Sequence, residues 1–152
     1  MPPIQLGSVP VQPDWVDFYG HVRGADYFRA FDSAGYVFYE RFFGPVDDYL
    51  KNTGCGFFTA EAHVRYLKEV RGDLRLDIAA MLFDFDAKRI WWAMTMTCEG
   101  VERATIEIID LHVDTGIGRT VPIPETVQVA LAGAKATERP SWSGRSCSLD
   151  KR

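Results

Sequence analysis

At 152 residues, 47% of them hydrophobic and 25% charged, the chain has the size and composition of one globular domain with a sizeable core. A net charge of -4 argues against a general nucleic-acid binder, and no run approaches the roughly 20 apolar residues of a membrane span. Met1-Pro2-Pro3-Ile4-Gln5 lacks the basic start and apolar run of a secretory signal, and Cys55, Cys98 and Cys147 are too widely spaced for a zinc knuckle or disulfide framework, so reduced thiols in the cytoplasm are expected.

In chain order, residues 7–13 read as a short edge strand, where Pro10 and Pro13 do least harm. The stretch 14–20 reads as an acidic and aromatic loop. From Asp26 the pattern turns helical: Tyr27, Phe31, Ala34, Phe38 and Phe42 fall on one stripe, and Gly44-Pro45 supplies the stop. A further turn or two of helix is predicted over Val46 to Asn52. After Gly54 the period becomes two. Phe58, Ala60, Ala62, Val64 and Tyr66 alternate with Thr59, Glu61, His63 and Arg65. Leu74 to Leu82, Ile90 to Cys98 and a run opening at Ala104 give three more strands. In the last, the apolar phase slips to Ile109, Leu111 and Val113, which predicts a bulge near Ile108.

The short connectors Arg71-Gly72-Asp73, 84–88 and Glu99-Gly100 predict an antiparallel meander of these four strands. The fold class is therefore α+β, one long helix against a curved five-stranded antiparallel sheet. Trp91-Trp92 makes one strand apolar on both faces, which points to a sheet or subunit contact. The domain is predicted to span residues 1–133. The polar stretch 134–152 forms a C-terminal extension, with Trp142 the one residue arguing that it docks on the domain.

The chemistry-bearing stretch is Asp14-Trp15-Val16-Asp17-Phe18-Tyr19-Gly20-His21. It puts a carboxylate and an imidazole just ahead of a long helix, whose first N–H groups are unpaired and lie at the positive end of its dipole. Such donors suit the oxyanion of acyl transfer, and a carboxylate beside them can attack the acyl carbon or take a proton from water. Acidic residues ahead of a helix are also ordinary caps. Elsewhere, Glu61 and His63 lie two apart on one strand face, within reach of a site at a dimer interface or simply solvated. His112 reads as a satisfied strand residue. Trp91-Trp92 can line an aromatic pocket for a cationic acyl group or merely fill a core. Three scattered histidines make no metal site.

Asp17-Phe18-Tyr19-Gly20-His21-Val22, followed by Tyr27, resembles the D-x-x-G-H-V-x-x-x-x-Y signature of hotdog thioesterases of the 4-hydroxybenzoyl-CoA type. The likeness continues through residues 58–67 and 111–114, and within the family it is strongest to the betainyl-CoA thioesterase subgroup. The resemblance implies a single hotdog domain that hydrolyses acyl-CoA as a homodimer or homotetramer, without a cofactor beyond the coenzyme A of the substrate. It makes Asp17 the nucleophile or general base, and Gly24 the backbone N–H that polarises the thioester carbonyl. His21 would shape the loop, and Glu61 is a further catalytic candidate. Lys88 and Arg89 match a basic turn that contacts coenzyme A phosphates in some members, although the same turn reads equally as solvated. Arg23, Tyr27, Phe58 and Thr59 would line the acyl pocket. Arg23 and Gly24 stand where many members carry two asparagines, which leaves the acyl group open. Two alternatives remain: a non-catalytic acyl-thioester binding domain, and a hotdog dehydratase or hydratase, for which no matching segment is present.

Overall fold

The computed structural model describes residues 1–150, and Lys151 and Arg152 at the end of the extension lie outside the described residues. Strand β1 (Ile4–Pro10) leads through a short 3-10 turn at Pro13–Trp15 to helix α1 (Gly24–Phe43) and helix α2 (Val46–Thr53). Strands β2 (Cys55–Tyr66), β3 (Arg75–Phe85), β4 (Arg89–Cys98) and β5 (Val101–Asp114) follow, then the two-residue β6 (Arg119–Thr120) and helix α3 (Glu125–Ala134).

Helix α1 forms because its apolar residues recur at three and four residue steps. Tyr27, Ala30, Phe31, Ala34, Phe38 and Tyr39 are all buried, and Phe31 and Phe38 are completely so. The helix begins two residues before the predicted Asp26, with Arg23 extended at its N-cap. It ends at Gly44, whose φ of 74° needs a glycine and whose N–H returns to the Glu40 carbonyl. The buried stripe lies on Ile78, Ala80, Leu82, Ile90, Met94, Met96 and Ile106 from the inner face of the sheet. Phe38 stacks flat on Trp92, with ring centroids 4.2 Å apart and planes 6° from parallel. Burying each large apolar side chain of this kind stabilises the fold by about 1.5–3 kcal/mol. The long helix wrapped by a curved antiparallel sheet is the expected hotdog arrangement.

The sheet order is β1-β3-β4-β5-β2, with β6 beside β5 and every pair antiparallel. Only β3, β4 and β5 form a meander, which corrects the expectation of four consecutive neighbours. The β4–β5 turn is a tight hairpin with positive φ at Glu99 and Gly100. The β2–β3 connector is different. Leu67 and Lys68 donate their N–H groups to the Arg103 carbonyl, the Val70 carbonyl accepts from Val22, and that of Leu74 accepts from Val11. These bonds tie the connector to other segments instead of closing a hairpin, so β2 sits at the far edge beside β5. Strand β1 also runs earlier than the predicted 7–13 and carries an irregularity between Gln5 and Gly7.

The predicted bulge near Ile108 is not in β5, which pairs without a break as Trp92 to Ile108 and Trp91 to Ile109. It lies in the partner strand, where Ala60 is the extra residue between Thr59 and Glu61. The phase slip in β5 has another cause. Ile106 and Ile108 pack toward α1 while Ile109 packs on the outer face, so both faces are buried.

The cover of that outer face is the chain's own C-terminal extension. After α3, whose Leu131 and Ala134 join the main core, Ala136 donates to the Leu82 carbonyl. Trp142 and Cys147 then pack with Phe83, Trp91, Ala93 and Ile109 in a second cluster. Glu107 accepts from the indole of Trp91 at 2.9 Å and from the Gly144 N–H at 2.8 Å. Arg65 lies over the Trp142 ring and Arg139 over that of Trp91. Trp91 thus meets the extension, not a second sheet. Trp142→Ala is expected to destabilise the fold by about 3 kcal/mol, a Tm fall of roughly 6–12 °C. Calorimetry showing an unchanged Tm would mean that the extension adds nothing to stability.

Candidate active site

A loop–helix junction positions the candidate carboxylate. Asp17 Oδ1 accepts the backbone N–H of Tyr19 at 2.9 Å and of His21 at 3.3 Å. Asp17 N–H donates to the His21 carbonyl, and Gly20 N–H closes the turn on the Asp17 carbonyl, both at 3.0 Å. Gly20 has φ 79°, a conformation that glycine adopts without penalty. One carboxylate oxygen is therefore held by backbone donors, while Oδ2 has no partner among the described residues. His21 is half-buried, pairs with Arg71, and holds Asp17 through its backbone. The tip of the loop leaves Phe18 90% and Tyr19 72% exposed.

Asp17, His21, Arg23, Gly24, Ala25, Tyr27 and Tyr66 line one open cleft at the start of α1. The first two helical N–H groups, of Gly24 and Ala25, have no acceptor among the described residues; those of Asp26 and Tyr27 already bond the Arg23 carbonyl. Tyr66 donates its hydroxyl to the Gly24 carbonyl at 3.0 Å, and a Cβ on Gly24 would meet the Tyr66 hydroxyl oxygen at 3.4 Å. Arg23 lines the cleft, yet its guanidinium is engaged by the Asp26 carboxylate at 3.1 Å and by the Asp14 carbonyl. The Tyr27 phenol is buried. It donates to the Lys68 carbonyl and accepts from Val70 N–H, anchoring the β2–β3 connector along the cleft wall.

The Ala60 bulge redistributes the β2 residues between the faces. Thr59 lies opposite Asp110 on the inner face, whereas Glu61 and His63 lie opposite Ile109 and Glu107 on the outer face. Glu61 and His63 thus share one face but stand away from the Asp17 cleft of their own chain. Phe58, 54% exposed, lies opposite Leu111 and lines no part of that cleft.

The β3–β4 turn forms a separate shallow concavity lined by Asp86, Ala87, Lys88, Arg89, Leu111 and Thr120. Arg89 bonds Asp86 at 2.7 Å and reaches the Leu149 carbonyl. Burial raises the Asp86 carboxyl, but the Lys88 and Arg89 N–H groups and the Arg89 guanidinium outweigh it, leaving the carboxyl below its ordinary value. Lys88 is exposed, and its ammonium makes no ion pair among the described residues.

Sequence reasoning missed Asp110. It is 3% exposed and accepts hydrogen bonds from the Thr59 hydroxyl at 2.7 Å, the Trp92 indole at 2.7 Å and the Tyr39 hydroxyl. Burial pushes its carboxyl up, and the three donors pull part of the way back. The Tyr39 phenol is raised well above its ordinary value by burial and then by the Asp110 charge. The only sequence signal was a carboxylate set in the apolar run Ile108-Ile109-Asp110-Leu111. By contrast, His112 is satisfied, with Tyr49 Oη at 2.7 Å and the Val121 carbonyl at 2.9 Å.

Over 144 residues the chain is 32% identical to the betainyl-CoA thioesterase of Pseudomonas aeruginosa, covering 91% of this chain and 90% of that protein. It is 33% identical over 137 residues to the L-carnitine dehydrogenase/betainyl-CoA thioesterase of Agrobacterium fabrum, covering 90% of this chain. It spans only 28% of the length of that relative. Its fold is similar to that of a Staphylococcus aureus protein solved in complex with CoA, with a TM-score of 0.85, 21% identity and 98% of each chain covered. Residues 11–131 match the family profile described as the thioesterase-like superfamily, and the chain belongs to that family.

Proposed function

We propose that the chain hydrolyses an acyl-CoA thioester, with Asp17 as nucleophile or general base and the Gly24 N–H as the oxyanion donor. The observation that carries this reading is the shared cleft. One oxygen of Asp17 is fixed, and the other has no partner among the described residues. Gly24 and Ala25, whose N–H groups likewise have no acceptor among the described residues, line the same cleft. As general base, Asp17 takes a proton from water while the water oxygen attacks the thioester carbon. As nucleophile, its carboxylate attacks directly, and water then hydrolyses the mixed anhydride. In both routes negative charge grows on the carbonyl oxygen, where the helix N–H groups and dipole stabilise it. The thiolate of coenzyme A leaves and is protonated. Release of that thiol from acyl-CoA, followed with a chromogenic disulfide, tests the reaction directly. The names of the Pseudomonas and Agrobacterium relatives make betainyl-CoA the first substrate to try.

Coenzyme A phosphates are assigned to the β3–β4 turn, with Lys88 as the contacting cation. Arg89 holds the turn in shape through Asp86 and Leu149. Lys88→Ala is expected to raise KM for acyl-CoA roughly fivefold, as an exposed ion pair allows, and to weaken its salt dependence. An unchanged KM and salt profile would move the phosphates elsewhere.

A second copy is assigned to the β2 edge. This strand is 12 residues long, pairs among the described residues only with β5, and exposes Phe58 and Tyr66. The exposed Phe18 and Tyr19 add aromatic surface. Light scattering is expected to report a dimer, and a monomer at micromolar concentration would refute the pairing. Tetramers through the outer sheet face would have to displace the extension. Among the described residues no helix is long and apolar enough to cross a membrane. The wide spacing of Cys55, Cys98 and Cys147 along the chain suits reduced thiols, and the cytoplasm is the compartment assigned here.

A further inference from the structure

Between α1 and the inner face of the sheet lies a cavity of about 120 Å³, on the order of ten times the space that one water needs. It runs from Phe28, Asp32 and Tyr36 on the exposed side of α1 down to Tyr39, Trp92 and Asp110 at its buried end. Gly35 keeps part of it open, since a Cβ there would meet the Trp92 ring at 3.4 Å. Tyr27 lines the Asp17 cleft and Phe28 lines this cavity, so neighbouring residues of α1 border the two.

The charge balance of the cavity is one-sided. The three donors to Asp110 are an indole and two hydroxyls, all neutral. Among the described residues no lysine, arginine or histidine lines the cavity and no ion pair reaches Asp110. The lining holds a second carboxylate, Asp32, and its other titratable groups are the phenols of Tyr36 and Tyr39. A buried carboxylate without a counter-charge is costly, and a cation entering the cavity would relieve that cost. Half of the remaining lining is aromatic, with Phe31 and Phe57 joining Phe28, Tyr36, Tyr39 and Trp92. Aromatic faces attract weakly hydrated organic cations. A quaternary ammonium fits these conditions better than a primary one. It has no N–H to satisfy, so it leaves the three hydrogen bonds of Asp110 intact, and its methyl groups suit aromatic walls.

We propose that this cavity binds a quaternary ammonium group, with Asp110 and Asp32 supplying the negative charge and the aromatic side chains the walls. The proposal rests on the hydrolase reading only in placing the cation at the end of an acyl group.

The test compares betainyl-CoA with its neutral carbon isostere, 3,3-dimethylbutanoyl-CoA, which has the same shape without the charge. The wild-type chain is expected to favour betainyl-CoA in KM by roughly tenfold, as cation–aromatic attraction in a desolvated site allows. Asp110→Asn and Asp32→Asn should each bring that ratio toward one. Equal KM values in the wild type, or an undiminished ratio in both variants, would overturn the proposal. Binding of tetramethylammonium, read by calorimetry, separates this failure from failure of the hydrolase reading. Tetramethylammonium bound by the wild type and lost in Asp32→Asn supports the cavity even if no thioester is cleaved. No tetramethylammonium binding, with thioesters still cleaved without charge preference, overturns the cavity and leaves the hydrolase standing. Asp32 is exposed, so its variant keeps the test decisive should Asp110→Asn fail to fold.

Discussion

Asp17→Asn is expected to lower kcat/KM for acyl-CoA by about 10²–10⁴-fold, the usual contribution of a positioned base or nucleophile, with little change in Tm. The substitution isolates chemistry from architecture. An asparagine side-chain oxygen can still accept the Tyr19 and His21 N–H groups, so the turn that ends at Gly20 keeps its bonds. What disappears is the negative charge and basicity of the second oxygen, which has no partner among the described residues. A loss confined to kcat fits a role in the reaction. A variant with near wild-type turnover would remove Asp17 from the mechanism, however well the loop is built.

Gly24→Pro is expected to cost about 10²–10³-fold in kcat, the price of one oxyanion donor. Position 24 is the first residue of α1, where proline's fixed φ is tolerated and its missing N–H breaks no helical bond. Arg23 already has φ -65° and ψ 150°, the extended conformation that a following proline requires. The ring would press on the Tyr66 hydroxyl, 3.4 Å from a Cβ at this position, so Gly24→Ala serves as the control for crowding. If the alanine variant retains turnover and the proline variant loses it, the missing N–H is responsible. Equal losses in both would assign the effect to crowding against Tyr66, and full activity of the proline variant would remove Gly24 N–H from catalysis.

Where local periodicity decided structure, the sequence was readable. The stripe of Tyr27, Phe31, Ala34 and Phe38 could bury itself only as a helix, and Gly44-Pro45 could only end it. The position of β2 was not readable, because its alternation is equally satisfied beside β3 or β5, and the choice is made by the bonds of residues 67–74 to distant carbonyls and N–H groups. The Ala60 bulge was hidden in the same way. A strand of alternating residues gives no sign that one of them is extra, and the extra residue puts Thr59 opposite Asp110 and turns Glu61 and His63 outward. Helix α3 escaped notice because Pro124 precedes it without a capping side chain and its ten residues include the weak helix formers Thr126, Val127, Val129 and Gly133. The Asp17 loop was legible because its residues are contiguous and lead into a helix. Asp110 was not, since its meaning depends on Tyr39, Thr59 and Trp92, brought together from a helix and two other strands.

The most direct measurement is thiol release from a panel of aromatic, short-chain, long-chain, dicarboxylic and betainyl acyl-CoA substrates, with Asp17→Asn alongside. The expected result is turnover of at least one substrate by the wild type and its near abolition in the variant. Coenzyme A binding without release of thiol from any member would contradict hydrolysis and leave an acyl-thioester binding domain as the function.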